Sequence, residues 1–331
     1  IPEPGVVDLS GTHFSHTVIW EKCVFAGDAV FETAHFAGDA LFDSAHFASS
    51  ADFSAAQFAR SAAFSAAHFV GTADFYNAHF AEIAVFRGAR SDAEINFHNA
   101  HFAGPACFDD AHFAGPAFFD DAAFKSRTDF ADATFHGRTP SFFQCEMHDN
   151  TSFTMTPAQW PKVDPDEAGQ DKSAYRRLRQ VSASQHNTEA EHFFLRQEMA
   201  CDAVLKEDWL SRFIVRSYGA VSGYGYSVAR PGSVLLALWL GPALYFLTLF
   251  KVNFWSTLNP PDASHADALG SAAGFSFSNL FSFFGLGRRH FGDVWVTAPD
   301  LVHFIGGVQT VLGFVFLFFL GLGLRNRFRL K

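Results

Sequence analysis

The chain has 331 residues, of which 43 are Phe but only 3 are Met and 6 are Tyr. So strong a bias towards one aromatic residue indicates that a small set of positions repeats many times. Residues 1–150 carry 20 acidic and 7 basic side chains, whereas residues 151–331 carry 14 and 17. The acidic half argues against phosphate binding, and the mildly basic half fits contact with anionic lipid headgroups.

Phenylalanine recurs through the first half of the chain at steps that alternate between five and six residues. The positions are Phe25, Phe31, Phe36, Phe42, Phe47, Phe53, Phe58, Phe64, Phe69, Phe75, Phe80, Phe86, Phe97, Phe102, Phe108, Phe113, Phe119, Phe124, Phe130 and Phe135. Alanine lies two residues earlier in 17 of these 20 cases, except at Cys23, Ile95 and Thr128. Neither an amphipathic helix nor a regular strand has this period. A coiled chain with a corner every five or six residues does, so we predict a solenoid with Phe and Ala inside.

The repeating unit A-x-F-x-x, clear at residues 34–36 and 45–47, resembles the pentapeptide-repeat family. The resemblance implies a β-solenoid over residues 1–153, a right-handed quadrilateral β-helix with about 22 residues in each four-sided coil. The stretch from Phe25 to Phe135 would then form five coils, or about 24 Å of solenoid at a strand spacing of ~4.8 Å. The extra residue of each six-residue step is expected to bulge at a corner.

One unit of the repeat lacks its phenylalanine. Ser91 stands where a Phe is due, within the stretch GARSDAEIN. We expect a loop or a weak coil on this face. It is either a tolerated lapse in the repeat or a loop that binds a partner.

Several histidines directly precede an inward Phe and are expected on the outer surface. They are His35, His46, His68, His79, His101 and His112. With four steps to a coil, His79 lies over His101 and His46 lies over His68. Such pairs suit metal binding or a response to pH, but a solvated outer face explains them without a ligand. We therefore predict no metal site.

Residues 154–230 are predicted to form a helical linker and juxtamembrane region. A Pro-rich and acidic stretch ends the repeat, and helical spacing follows it. We expect two helices with a break near residues 184–188, packed on the solenoid end or on a neighbouring subunit. The V-S-G-Y-G segment at residues 221–225 is similar to the T-V-G-Y-G filter of potassium channels. It precedes the first apolar span, so it indicates a hinge at the membrane surface.

Residues 231–331 are predicted to be a transmembrane domain. Two uncharged stretches, at about 231–250 and 301–324, are long enough to cross a hydrocarbon core of about 30 Å as helices. Basic residues follow the second stretch, so the positive-inside rule places the repeat domain and the C-terminus in the cytoplasm. Four cysteines without C-x-x-C spacing fit reduced thiols on that side. We predict a multi-pass protein of the cell (inner) membrane.

The apolar stretch between the spans, about residues 275–287, is too short to cross the membrane. We expect either a re-entrant helix that ends in a glycine turn or a helix lying on the outer surface. The order of span, helix, glycine turn and span loosely resembles the pore module of tetrameric ion channels. The sequence GLGRRHFGD replaces the T-V-G-Y-G filter, which puts potassium selectivity in doubt. The candidate pore and loop residues are Phe284, Gly285, Leu286, Gly287, Arg288, Arg289, His303 and Gln309.

The second span also contains polar and small residues. His303 and Gln309 are expected two turns apart on roughly one side of the helix, facing a bundle interior or a cavity. Gly306, Gly307 and Gly313 would permit close helix contact, either for oligomer packing or for gating.

No phosphate-binding glycine loop, nucleophile motif or metal cluster stands out, so we predict no enzyme activity and no cofactor. The leading expectation is an oligomeric ion channel or channel-like pore with a cytoplasmic solenoid, a tetramer by analogy. The alternative is a membrane-anchored scaffold whose repeat domain binds a protein partner. A topoisomerase binder that mimics DNA is a minor alternative implied by the family resemblance. The expected partners are membrane lipid and further copies of the chain, and we predict no nucleic-acid binding.

Overall fold

The computed structural model describes residues 5–225, 227–251, 265–285 and 298–328, together with 290, 291 and 296. The chain forms two compact units, Ile1–Asp208 and Trp209–Lys331. The first unit therefore joins the repeat to the two helices that follow it. The domain boundaries expected at residues 153 and 230 stay a prediction.

The repeat folds into a four-sided β-solenoid of about seven turns, which confirms the predicted fold class. Each side is a parallel sheet that takes one short strand from every coil. Ala29 pairs with Ala51, at the same position of the next coil. Thr128 pairs with Thr151, so the last coil contains one additional residue. We call the four sides face 1 to face 4, in the order in which the chain reaches them.

Each face collects its strands in chain order from the N-terminal coil onward. Face 1 contains Val7–Asp8, Ala29–Val30, Ala51–Asp52, Ala73–Asp74, Ile95–Asn96 and Ala117–Phe118. Face 2 contains His13–Phe14, His35–Phe36, Gln57–Phe58, His79–Phe80, His101–Phe102 and Ala123–Phe124. Face 3 contains Val18–Ile19, Ala40–Leu41, Ala62–Ala63, Ala84–Val85, Ala106–Cys107, Thr128–Phe130 and Thr151–Phe153. Face 4 contains Val24–Phe25, His46–Phe47, His68–Phe69, Arg90–Ser91, His112–Phe113 and Thr134–Phe135.

The interior of the solenoid is a set of phenylalanine columns. Because the coils are in register, each ring lies over the matching ring of the next coil, as Phe36 does over Phe58 with ring centroids 4.8 Å apart. Rings of neighbouring columns meet edge to face, as Phe36 and Phe42 do at 6.3 Å. The alanine two residues before each ring is also buried and leaves room for it. Burial of one ring contributes about 1.5–3 kcal/mol, so the columns dominate the stability of this unit.

The two step lengths form two kinds of corner. In a five-residue step the chain makes a tight turn, in which the Ala34 N–H donates to the Phe31 carbonyl at 3.0 Å. Thr33, between them, has a φ of 57°, the left-handed value that the third residue of a type II turn adopts. A six-residue step places its extra residue in a bend between strands, such as residues 37–39. The alternation of step lengths thus sets the alternation of corners around the solenoid.

The expectation of a loop or weak coil at Ser91 is wrong. Arg90–Ser91 is a regular strand of face 4, paired with His68–Phe69 below it and His112–Phe113 above it. Ser91 is only 2% exposed, and its hydroxyl donates to the Ala93 carbonyl at 2.7 Å. The coil persists because the ladder uses backbone groups, which are the same whether the inward side chain is Ser or Phe.

Ile95 offers a test of how the core accommodates Ser91. It is a buried, large residue in a position where the repeat has Ala. We expect that Ile95 fills the volume that a ring at position 91 would take. Ser91→Phe alone should then lower the free energy of unfolding by about 1–3 kcal/mol. Ile95→Ala alone is expected to cost about 2–5 kcal/mol.

The Ser91→Phe/Ile95→Ala chain recreates the regular repeat and should lose clearly less stability than the two single costs combined. Thermal unfolding followed by the circular dichroism of the β-structure measures the effect. Val85→Ala, on the outside of face 3, is the control and should combine additively with Ser91→Phe. Additive costs for Ser91 and Ile95 would contradict this account of the core.

Two helices cover the C-terminal end of the solenoid. A 3-10 turn at Pro157–Gln159 leads to α1, Ala168–Ser184, and α2, Thr188–Leu205. The break between α1 and α2 falls where the sequence predicted it. Phe153, the last ring of its column, meets Phe194 of α2 edge to face at 5.7 Å. Of the two expected positions for these helices, the structure has the one on the solenoid end.

Charge pairs hold these two helices together, and the Arg177 guanidinium of α1 donates to the Cys145 carbonyl of the last coil at 2.7 Å. Glu198 accepts from the Nε atoms of Arg176 and Arg179 at 2.9 and 2.8 Å.

Two thiols are buried in this region, Cys145 in the last coil and Cys201 in α2. Burial raises the pKa of both thiols to about 12, because the thiolate is poorly solvated there. Both are therefore unreactive near neutral pH.

In the described part of the second unit, the structure contains helices, one 3-10 turn and connecting turns. The helices are α3 (Trp209–Ser222), α4 (Ala229–Lys251), α5 (His265–Leu280) and α6 (Asp300–Phe328), and the 3-10 turn is Ser282–Phe284. Two helices, α4 and α6, are long and apolar enough to cross a membrane, and they contain the predicted spans. Only 22% of each apolar window is buried within the chain, whereas a core helix of a soluble protein would be mostly buried.

Candidate functional site

The short helix α5 packs directly against both long helices. Its buried residues include Ala272, Phe275 and Leu280, and the Phe275 ring meets Phe246 of α4 edge to face at 4.9 Å. Four polar residues are also buried where these helices meet: Ser276, Ser278, Asn279 and Gln309. We call the contact region of α4, α5 and α6 the three-helix junction.

A proline in α4 explains why a glutamine is buried at the three-helix junction. Pro242 has no N–H, so the carbonyl of Leu238, four residues earlier, loses its partner within the helix. The Nε2 atom of Gln309, in α6, donates to that carbonyl at 2.8 Å. In an apolar setting an unpaired carbonyl is costly, so Gln309 replaces the hydrogen bond that proline removes.

Ser276 links all three helices. Its hydroxyl donates to the Trp239 carbonyl of α4 at 2.6 Å and accepts from Nε2 of Gln309 at 2.8 Å. The Trp239 indole in turn donates to the Ala273 carbonyl of α5 at 3.0 Å. Ser276 and Asn279 were not among the predicted site residues, although the polar residues within the apolar stretch FSFSNLF indicate that one side of α5 meets polar groups.

Gly313 allows the C-terminal end of α5 to approach α6 closely. A Cβ atom at Gly313 would lie 2.3 Å from the Leu280 carbonyl oxygen, which is not possible. One turn earlier in α6, the Thr310 hydroxyl donates to the Asn279 carbonyl at 2.8 Å. Gly313 therefore serves packing within one chain. Gly306 is buried, whereas Gly307 is exposed with nothing within 4 Å of an added Cβ. A role for these glycines in oligomer packing or gating stays a prediction.

The junction places the end of α5 near the middle of both long helices. α4 has 23 residues and α6 has 29, which correspond to about 35 and 44 Å of helix. Leu238 and Trp239 lie near the midpoint of α4, and Gly313 lies at the midpoint of α6. A helix resting on one surface of the unit would contact only their ends. This packing favours the re-entrant alternative, which stays a prediction.

The expectation that His303 and Gln309 share one side of their helix is wrong. Six residues rotate an α-helix by about 600°, which leaves the two side chains about 120° apart. Gln309 is 1% exposed and faces α4 and α5, whereas His303 is exposed in the single chain. Gly307 and Val311 are exposed as well, so one side of α6 turns away from the junction.

The loop after α5 contains most of the remaining candidates. Phe284 ends the 3-10 turn, and Gly285 follows with a φ of 69°, a left-handed conformation that suits glycine. Phe283, in the same turn, contacts the ring of Phe314 in α6 at 5.7 Å. The predicted loop residues Leu286, Gly287, Arg288 and Arg289 lie outside the described residues, and their role stays a prediction.

The start of α4 and the end of α6 lie side by side. The Asn326 amide, near the end of α6, donates to the Gly225 carbonyl just before α4 at 3.0 Å. Tyr218 of α3 also contacts the Phe319 ring at 5.7 Å. The two long helices are therefore antiparallel. Gly225 belongs to the V-S-G-Y-G segment, which forms a tight turn between α3 and α4 with positive φ at Tyr224.

The solenoid presents a different column of outward side chains on each face. Face 2 carries His79 stacked on His101 at 4.7 Å, and face 4 carries His46 next to His68 at 5.0 Å, which confirms both predicted pairs. Burial, with the His79 charge second, lowers the pKa of His101. Among the described residues, no group of three or more His, Cys, Asp or Glu is arranged to hold a metal ion.

The other two faces differ from the histidine faces. Face 1 turns Asp52 and Asp74 outward in register, and burial, with Asp52 adding a like charge, raises the pKa of Asp74. Face 3 instead carries an apolar column on its outside. Its members are Ile19, Leu41, Ala63, Val85 and Cys107.

Four parallel sheets with inward Phe columns define the first unit as a quadrilateral β-solenoid, a fold that is typically structural or binding rather than catalytic. A family model described as Pentapeptide repeats (9 copies) matches residues 42–90 and 97–140. The repeat domain of this chain belongs to the pentapeptide-repeat family. The six residues between the two matches contain Ser91, where the sequence departs from the repeat but the coil does not. No curated protein and no solved structure matches the chain.

The hydrogen bond between Gln309 and Leu238 can be tested through Pro242. Gln309→Leu is expected to destabilise the second unit by about 1–3 kcal/mol, because it leaves the buried Leu238 carbonyl without a donor and removes the hydrogen bond that the Ser276 oxygen accepts. Pro242→Ala restores an N–H that pairs with the Leu238 carbonyl. The cost of Gln309→Leu should therefore be smaller in the Pro242→Ala chain.

Thermal unfolding of the full chain in detergent measures these differences. Thr310→Val is the matched control, because it removes an interhelical hydrogen bond that does not involve α4. Its cost should be the same with Pro242 or Ala at that position. Equal costs of Gln309→Leu in both backgrounds would show that Gln309 is not buried there to replace the hydrogen bond that Pro242 removes.

Proposed function

We propose that the second unit is the pore module of a membrane-embedded, oligomeric, channel-like protein. The observation that carries the proposal is the packing of α5, whose polar side is bonded to the middle of α4 and α6. A short helix that enters between two spans and turns back at a glycine builds a loop at membrane depth. Irregular backbone at that depth is tolerated where it is buried in protein or lines a water-filled path.

Polar groups on two sides of α6 support this proposal. At the three-helix junction, the Gln309 Oε1 and Asn279 Nδ2 atoms are buried without a hydrogen-bond partner among the described residues. About 120° further round α6, His303 is exposed. Polar residues within such helices usually face a bundle interior or water rather than lipid. An assembly of several chains would supply that environment, because two spans do not enclose a path alone.

The basic residues favour one orientation in the membrane. Arg230 lies in the first turn of α4 and Arg325 in the last turn of α6, at the ends that the Gly225–Asn326 hydrogen bond brings together. Under the positive-inside rule this end faces the cytoplasm. The solenoid, which precedes α4 in the chain, is then cytoplasmic. The protein is accordingly proposed to be a multi-pass protein of the cell (inner) membrane.

The ion class is proposed from the loop sequence. Arg288 and Arg289 follow Gly285 where the pore module of tetrameric channels carries its filter, so they would favour anions and oppose cations. In liposomes that contain the full chain, we expect a current that carries anions in preference to cations. Arg288→Gln/Arg289→Gln should move the reversal potential towards the cation value under a salt gradient.

Arg60→Gln/Arg87→Gln, on the solenoid surface, is the matched control for charge and should leave the reversal potential unchanged. Absence of current from correctly inserted protein, across voltage, pH and membrane tension, would contradict the channel. A current whose selectivity ignores Arg288 and Arg289 would contradict only the proposed ion class.

The outer surface of face 3 favours a second candidate function, that of a membrane-anchored scaffold. Its outward column is apolar from Ile19 to Cys107, whereas the outward columns of faces 2 and 4 carry histidines. An apolar column along a flat parallel sheet suits contact with another protein. The first unit, Ile1–Asp208, is compact and provides a bait for such a partner.

The scaffold predicts a partner that depends on face 3. Leu41→Asp/Val85→Asp should abolish recovery of the partner by the first unit, because charges would interrupt the apolar column. Gln57→Asp/His79→Asp makes the same change on face 2 and should retain it. Quantitative mass spectrometry of the recovered proteins makes the comparison, and equal recovery by both variants would rule out face 3 as the binding surface.

A further inference from the structure

The helix α3 presents a large apolar surface that no described part of its own chain covers. Trp209, Leu210, Phe213 and Ile214 are 76%, 50%, 63% and 57% exposed. At about 100° per residue these four side chains fall within one arc of roughly 140° on the helix. Ser222, on the opposite side, is fully buried. The exposed side of α3 is thus its apolar side, the reverse of a helix on a water-soluble surface.

Arginines border this apolar arc. Arg212 and Arg216 lie one turn apart at its edge, next to Trp209 on the helical wheel. Arg230, at the start of α4, donates to the carbonyls of Gly219 and Ala220 in the last turn of α3 at 3.0 and 3.3 Å. The guanidinium of Arg230 thereby ties α3 to the beginning of the candidate span. Cations beside an apolar arc with an aromatic residue are typical of a helix that lies in a membrane interface.

The position of α3 within the second unit points the same way. Its last turn contacts the C-terminal part of α6 through Tyr218 and Phe319. The following turn is bonded to Asn326. The helix therefore lies beside the ends of both candidate spans. The exposed apolar sides of α4 and α6, at residues such as Leu244 and Phe318, belong to the same unit.

We propose that α3 lies in the headgroup region of the bilayer, with its apolar arc in the acyl boundary and Arg212 and Arg216 against anionic phospholipid. The inference rests on the membrane placement proposed above. A second copy of the chain is a poorer occupant. A copy bound to the arc would leave the exposed apolar sides of α4 and α6 uncovered, whereas one bilayer covers all three surfaces.

Site-directed spin labelling of the full chain tests this position. A nitroxide is placed at Phe213→Cys, and Cys23 and Cys107 are replaced by Ser. Cys145 and Cys201 remain, because they are buried and their thiols have a raised pKa. The protein is reconstituted in nanodiscs of phosphatidylcholine, with and without phosphatidylglycerol. Collision rates with oxygen, which partitions into lipid, and with a water-soluble nickel chelate then report the surroundings of the label.

We expect the label at residue 213 to collide several-fold more often with oxygen than with the nickel chelate, as in lipid. A label at Leu244, exposed on α4, is the lipid reference, and a label at Arg60 on the solenoid is the water reference. Residue 213 in water, or shielded from both reagents, while residue 244 is in lipid would overturn the position of α3 alone. Residue 244 outside lipid would overturn the membrane placement itself.

The lipid class is tested by the charges. With Arg212 and Arg216 present, the label at 213 should move deeper when phosphatidylglycerol is added. In the Arg212→Gln/Arg216→Gln chain it should not. The same two substitutions at Arg87 and Arg90 on the solenoid should leave the shift intact. A shift that survives the loss of Arg212 and Arg216 would show that these residues do not bind anionic lipid.

Discussion

A backbone polar group removed from water needs a hydrogen-bond partner, and this constraint shapes both units of the chain. In the solenoid each coil provides partners for the next, so the short strands tolerate even the loss of a core ring at Ser91. In the described part of the second unit, Pro242 interrupts the backbone hydrogen bonds of α4. There a glutamine from α6 and a serine from α5 bond to the carbonyls around the interruption.

The two units differ in where they display chemistry. The solenoid hides identical rings in its interior and therefore has freedom on the outside, where its faces carry acidic, histidine and apolar columns. The second unit reverses this arrangement, with apolar residues outside and polar residues at the three-helix junction. That reversal is expected of a protein whose solvent is lipid, because lipid tails offer polar groups no hydrogen bonds and the polar groups therefore pair with one another. A channel-like pore fits this inside-out distribution.

Sequence periodicity was a strong guide in the repeat and a weak one in the apolar helices. The position of His79 recurs once in every coil, so its neighbour His101 followed from arithmetic. The prediction of a loop at Ser91 was wrong because the loss of a ring interrupts the sequence repeat but not the backbone ladder, which does not depend on that ring. In α6, His303 and Gln309 were assigned to one side although six residues place them on different sides. Ser276 was overlooked because its partners come from two distant helices.

The sequence alone determined a solenoid with inward Phe and Ala columns and the two long apolar helices, because each follows from local spacing and composition. The four sides of the solenoid were implied by the family resemblance. Only the tertiary structure decided that α5 packs against the middle of α4 and α6, and that Gln309 completes the backbone of α4. Those features depend on which residues meet across long separations in the chain. In a repeat, residues that contact each other are separated by one period in the sequence, so the sequence predicts the contact. In a three-helix junction the separations are irregular, and only the folded chain shows which residues meet.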